Sequence, residues 1–288
     1  MNTQIAPASP VASTSRSVYR SLRKYFNIFR IALVERLAYR SDFILSSALR
    51  LLPMLTTILL WTSVYVGSGQ SELSGFRLAE MIAYLLLVHI SRMFSSMPGL
   101  ANNIALDIRE GNLKKYLLQP LDMLSYLIVY RVAHKIAYIV TSFVPYAILF
   151  FLCRHYFDHL PDVTTWVAYG VSLILAFFVG FYFEACIGMA GFWLLEVTSL
   201  LYIVNTLNYF VSGHMFPLDL LPEPWADLLK CLPFQYMAYF PAAVFLGKVE
   251  GEALWRGLLA EAGWAIVLVL TARGLFRLGL RRYSAFGG

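Results

Sequence analysis

Six long apolar blocks occupy residues 42–66, 78–98, 136–153, 164–188, 192–212 and 253–276, with short polar stretches between them. A hydrocarbon core about 30 Å thick takes about 20 apolar residues of helix to cross, and each block is close to that length. The pattern predicts an all-α membrane protein with six transmembrane helices. Residues 16–288 then form one membrane-embedded domain. Residues 1–15 are rich in Ala, Pro and Ser, lack the apolar region of a signal peptide, and read as a disordered tail.

Three stretches between the blocks carry patterns of their own. In 16–40, Arg16, Arg20, Arg23, Asn27 and Arg30 step by three or four, and Tyr19, Leu22, Phe26, Phe29 and Leu33 do so on another face. This predicts an interfacial helix lying in the membrane surface, the alternative being a plain extension of the first span. In 100–118, the apolar Ile104, Ile108 and Leu113 stand among Asp107, Arg109, Glu110, Lys114 and Lys115. That predicts a short amphipathic helix, a break at Gly111-Asn112 and a second helical turn stopped before Pro120. Its mixed charge suits a protein partner better than lipid headgroups.

In 213–252, proline recurs within apolar sequence: Phe216-Pro217, Leu221-Pro222, Pro224, Pro233-Phe234 and Phe240-Pro241. The stretch is too apolar for a solvated loop and too interrupted for a spanning helix. It predicts short helices that dip back into the outer leaflet. Phe216, Pro217, Pro233 and Phe234 are candidates for an outer gate, with an ordinary packed cap as the alternative.

Composition agrees with the pattern: 59% hydrophobic and 14% charged residues exclude a soluble chain of this length. The charges then set the orientation. Arg16, Arg20, Arg23, Lys24, Arg30, Arg36 and Arg40 precede the first span. Arg109, Lys114, Lys115, Arg131 and Lys135 follow the second, and Arg273, Arg277, Arg281 and Arg282 follow the last. Only Arg77, Arg154, Lys230, Lys248 and Arg256 fall on the other side. Basic loops stay in the cytoplasm, so both termini are expected inside. The net charge of +6 is therefore a topology signal, and no basic patch stands on a soluble domain to take nucleic acid. Cys153, Cys186 and Cys231 have no paired spacing and read as packing residues.

Four charges fall at membrane depth in the inner half: Arg50, Arg92, Glu184 and Glu196. Opposite charges at one depth can neutralise one another, so Arg92 is expected to pair with Glu184 or Glu196. His89, Arg92 and Ser96 share a face of the second span, and Thr198, Tyr202, Asn205 and Tyr209 share a face of the fifth. Together these residues are candidates for a translocation path; the alternative is interhelical hydrogen-bond glue. No phosphate loop, H-E-x-x-H or C-x-x-C occurs. His155 and His159 stand near Asp158 and Asp162 without a further ligand set and read as a solvated turn. No catalytic residue and no metal site is expected.

Four strings carry a family resemblance: DIREGNLKKYLLQPLD (Asp107–Asp122), SGHMFPLDLLPEPW (Ser212–Trp225), LPFQYMAYFPAAVFLG (Leu232–Gly247) and GLFRLGLRRYSAFG (Gly274–Gly287). With the basic helix before the first span, they make the chain resemble ABC-2 family exporter permeases, the six-span transmembrane subunits of ATP-binding cassette transporters. The resemblance implies that 16–40 is an elbow helix. It implies a coupling helix that touches a separate ATPase subunit through Ile104, Ile108, Arg109, Glu110, Gly111 and Leu113. It further implies a second permease subunit, identical or paralogous, ATP and Mg bound on the ATPase rather than on this chain, and a bacterial inner membrane. A secondary transporter or channel without an ATPase is the alternative, although no clear internal repeat supports it.

Overall fold

The computed structural model describes residues 10–38, 40–157, 161–194 and 196–283, and the side chains within them except 10–21, 40–48, 50 and 51. The chain runs through α1 (Pro10–Ala38), α2 (Arg40–Ser68), a hairpin of β1 (Glu72–Leu73) and β2 (Phe76–Arg77), α3 (Leu78–Ser95), α4 (Leu100–Arg109) and α5 (Lys114–Leu117). It continues through α6 (Met123–Leu152), α7 (Val163–Met189), α8 (Thr198–Val211), α9 (Glu223–Cys231), α10 (Tyr239–Phe245) and α11 (Gly251–Arg282). Among the described residues, four stretches are long and apolar enough to cross a membrane: Leu78–Arg109, Met123–Leu152, Val163–Phe192 and Gly251–Arg282. α2 adds the shorter apolar stretch Leu52–Ser68. The architecture is that of an all-α, multi-pass membrane protein.

The ends of the long helices follow local chemistry. Asp122 caps α6 by accepting from the Ser125 amide at 2.9 Å, and Asp162 caps α7 by accepting from the Thr165 amide at 3.0 Å. Those Thr165 bonds hold the Asp162 carboxyl below its usual range. At the start of α3, Glu80 accepts the Arg77 amide at 3.0 Å and lies 3.4 Å from Lys248.

Three boundaries differ from the sequence reading. α1 begins at Pro10, so residues 10–15 are helical rather than part of a disordered tail; proline is favoured in a helix's first turn. Residues 1–9 lie outside the described chain. α6 begins at Met123 and not near 136, because the Asp122 cap starts the helix before the hydropathy rises. The apolar block 192–212 is not one helix: a 3-10 turn ends at Phe192, 196–197 is irregular, and α8 covers only 14 residues. At 1.5 Å per residue α8 is about 21 Å long. Phe192 and Val197 are buried in that turn, so apolar sequence continues through it.

α7 is the central helix. It packs along α11 and also touches α3, α4 and α10. Glycine makes the closest approaches. A Cβ on Gly180 would lie 1.9 Å from the Ser95 carbonyl oxygen, and one on Gly188 would lie 2.7 Å from the Ala101 carbonyl oxygen. Small residues in this way let α7 seat directly on the end of α3 and on α4. α1 lies against α6 with Ala32 buried and Phe29, Leu33 and Arg36 half-buried; Arg23, Lys24, Asn27 and Arg30 are exposed, as are Leu22 and Phe26.

The proline-rich segment packs against α3, α7 and α11. Tyr84 is fully buried and donates to the Gly213 carbonyl at 2.5 Å. Trp264 donates to the Cys231 carbonyl at 3.1 Å, about 20 Å along α11 from its first residue. Ser95, the last residue of α3, donates to the Met237 carbonyl at 2.7 Å, about 26 Å from the start of that helix. Lys230, Asp219 and Tyr239 tie the segment together, with Lys230 to Asp219 at 2.6 Å and Tyr239 to Asp219 at 2.7 Å. α10 is buried along its whole length. Tyr84→Phe strands the buried Gly213 carbonyl and is expected to cost about 1–3 kcal/mol. A thermal-unfolding scan of the purified protein in detergent should show a lower midpoint for the variant; an unchanged midpoint would show that the bond contributes nothing.

Candidate functional site

Polar chemistry collects at two places. The first is a cavity of about 280 Å³ between α3, α6 and the segment after α8. α3 and its C-cap contribute His89, Arg92 and Ser96, α6 contributes His134, Lys135 and Tyr138, and His214 closes it. Helical spacing of three and four puts the α3 residues on one face, as their positions in sequence imply. His89 Nε2 and the Tyr146 hydroxyl are 2.9 Å apart, and the Tyr146 and Tyr138 hydroxyls are 3.2 Å apart. Lys135 Nζ donates to the carbonyls of Met93 and Ser96, the latter at 2.5 Å. Arg131 donates to the Pro98 carbonyl at 3.0 Å. These two cations therefore satisfy carbonyls at the C-terminal end of α3, where a positive charge is favoured.

Arg92 and His214 each keep a buried nitrogen without a partner, Nε and Nδ1 respectively. The carboxylate of Glu184 acts electrostatically on both Arg92 and Arg131, at longer range than an ion-pair contact. Glu196 is exposed in the irregular turn before α8, away from that group, because the turn carries it to the surface. Arg50's side chain lies outside the described residues. On α8, Tyr209 packs against His214 with ring centroids 4.5 Å apart and the rings tilted by 50°. Thr198, Tyr202 and Asn205 are exposed, with Tyr202 75% accessible. The structure thus gathers His89, Arg92 and Ser96 around one cavity, with Tyr209 against its His214. It leaves Glu196, Thr198, Tyr202 and Asn205 on the surface of the single chain.

The second place is the α4–α5 joint. Gly111 takes φ +73° there, a left-handed conformation that glycine adopts at little cost. The Leu113 amide closes back onto the Asp107 carbonyl at 3.2 Å, and Lys115 lies 2.8 Å from the Asp107 carboxylate. Burial, then the Asp107 carboxylate, hold the Tyr116 phenol above its usual range. The expected apolar docking face is already used. Ile104, Ile108 and Leu113 are 1%, 6% and 0% exposed, in a core cluster with α6, α7 and α11. Internal packing on α7 wins because Gly188 and Gly191 bring α4 close. Exposed at this joint are Asn102, Asn103, Arg109, Glu110, Lys114, Leu117 and, at 83%, Leu118.

The four gate candidates pack in two separate places. Pro217 is buried and Phe216 half-buried against the cluster around Tyr84. Phe234 packs edge-on against Phe183 at 5.2 Å, about 30 Å along α7 from its start. Pro233 is buried beside it. His155 is exposed and His159 lies outside the described residues.

Sequence reading missed Glu261. It is fully buried on α11, accepts from Ser172 at 2.9 Å and leaves its other oxygen without a partner. A carboxylate in the middle of the last apolar block was the available signal. It also missed His134 and His214, which join the cavity only through tertiary packing.

Residues 51–287 match the family model described as ABC-2 family transporter protein, and this chain belongs to that family. It is a transmembrane permease of an ATP-binding cassette transporter, a class of membrane subunit that works in general with an ATP-binding cassette partner. No curated protein matches the chain.

Proposed function

We propose that this chain is a six-span permease of an ATP-driven exporter in a bacterial inner membrane, with both termini in the cytoplasm. α2 and α8 supply the two spans beyond the four long ones. α1 acts as the elbow helix. ATP and Mg bind on separate ATPase subunits, and α4–α5 is the coupling element that meets them. The observation that carries this reading is the α4–α5 joint. It is fixed to α7 by glycine contacts and yet presents Arg109, Glu110 and Leu118 outward. Motion of a partner at that tip would reach α7, and through it α3 and the cavity, as movement of packed helices. The exposed polar face of α8, with Thr198, Tyr202 and Asn205, supports a second permease subunit across that face. Lipid alone would be a poor cover for it.

Two measurements test the reading. Purification of the tagged chain from its native membrane should bring an ATPase chain with it; repeated purification of the permease alone favours the channel or secondary-transporter alternative. In a cysteine-free background, single cysteines near 157 or 220 should label from outside intact cells, while those near 110 or 284 should not. Strong outside labelling near 110 would overturn the orientation.

A further inference from the structure

We propose that the cavity between α3, α6 and His214 is a binding site for a phosphate-type oxyanion. The site deepens the permease reading, and rests on it for the idea that a ligand travels here. Its binding chemistry stands on the geometry alone.

The lining is one-signed. Arg92 and Lys135 carry fixed positive charge, His89, His134 and His214 add three imidazoles, and among the described residues no carboxylate lines the space. Glu184 is the acid that acts on Arg92, and it stands outside the lining. Leaving Arg92 Nε and His214 Nδ1 buried and unpartnered costs free energy unless something occupies the space. Cationic and imidazole groups face the space from three directions, namely two helices and the post-α8 segment. That arrangement suits a tetrahedral oxyanion, whose oxygens point several ways, better than a planar carboxylate. At about 280 Å³ the cavity is larger than a phosphate needs, so a substituent on the phosphate also fits. Pro98, exposed at the α3–α4 turn, forms part of the rim, so the site is reached from the inner end of α3. The phosphate could belong to a membrane lipid headgroup or to a water-soluble phosphate.

The experiment uses the full chain purified in neutral detergent, with any ATPase that accompanies it, after delipidation. Native mass spectrometry reads retention of phosphatidic acid, with phosphatidylcholine as the zwitterionic control. Equilibrium dialysis with radiolabelled inorganic phosphate reads the soluble form. One equivalent per chain is expected in at least one arm. Arg92→Gln should weaken it at least tenfold, Arg92→Lys by only a few fold, and His214→Gln by about threefold or more. Retention of phosphatidic acid alone assigns the site to a lipid headgroup, and phosphate binding alone assigns it to a soluble phosphate. The proposal fails if neither probe binds. It also fails if His214→Gln, eluting as a single symmetric species, binds as the wild type does, so it remains testable even where Arg92→Gln does not fold. Absent binding with an ATPase still co-purifying removes only the oxyanion site. Binding without any ATPase leaves the site and removes the exporter reading.

Discussion

Gly180→Ala is expected to abolish accumulation of the folded chain. One added methyl would sit 1.9 Å from the Ser95 carbonyl oxygen, 2.8 Å from its carbonyl carbon and 3.1 Å from its Cα. All three are backbone atoms, so no side chain can swing aside. Relief requires α7 and the end of α3 to separate. That separation opens the contact beneath which Ser95 holds Met237 and Lys135 holds the α3 carbonyls. Overpacking inside a well-packed core costs about 1–3 kcal/mol and occasionally more, and a clash with backbone belongs at the top of that range. Gly263→Ala is the control. Gly263 also lies mid-helix, but nothing stands within 4 Å of its added Cβ. There alanine should be neutral or stabilising by up to about 1 kcal/mol. Fluorescence-detected size-exclusion chromatography of solubilised membranes distinguishes the two. Equal, symmetric peaks for both variants would show that α3 and α7 are not pressed together as described.

This tight seam was invisible in the sequence for a physical reason. A glycine in an apolar helix signals a close approach but not to what, and Gly180, Gly188 and Gly263 look alike until the neighbours are placed. Other features were legible. The block 164–188 became α7, Val163–Met189, because proline-free apolar sequence follows a good cap at Asp162. Spacing alone put His89, Arg92 and Ser96 on one face. α6 and His214 complete the cavity from far away in the chain, and no local pattern links them to α3. Hydropathy averaged over a window also misplaced two boundaries. It ran through the buried turn at Phe192 and Val197, and it passed over the first turns of α6, where Arg131, His134 and Lys135 dilute the apolar signal. In α4 the amphipathic pattern was correct, yet it could not say whether the apolar side faced a partner or the chain's own core.

That last distinction gives the second large effect: substitutions on opposite faces of the α4–α5 element should fail in different ways. Leu118 is 83% exposed, and Arg109 and Glu110 are exposed beside the Gly111 turn. The side-chain bond lost there is the exposed one from Asn112 to Glu110 at 3.1 Å, so Leu118→Glu and the double reversal Arg109→Glu with Glu110→Arg should leave folding within about 0.5 kcal/mol. An apolar anchor in an interface commonly contributes about 2 kcal/mol or more, which corresponds to roughly a thirtyfold loss of affinity. These variants should therefore lose the co-purifying ATPase, or hydrolyse ATP without transport, while eluting as the wild type does. Ile104→Ala should do the reverse. Ile104 is 1% exposed in the cluster that holds α4 to α7, and emptying such a position costs about 2–5 kcal/mol. Its protein should unfold at lower temperature, with whatever folded fraction remains still binding the ATPase. If Leu118→Glu and the charge reversals leave ATPase binding, hydrolysis and transport unchanged, the α4–α5 tip is not the coupling element. The partner would then have to meet this chain through another part of its inner surface.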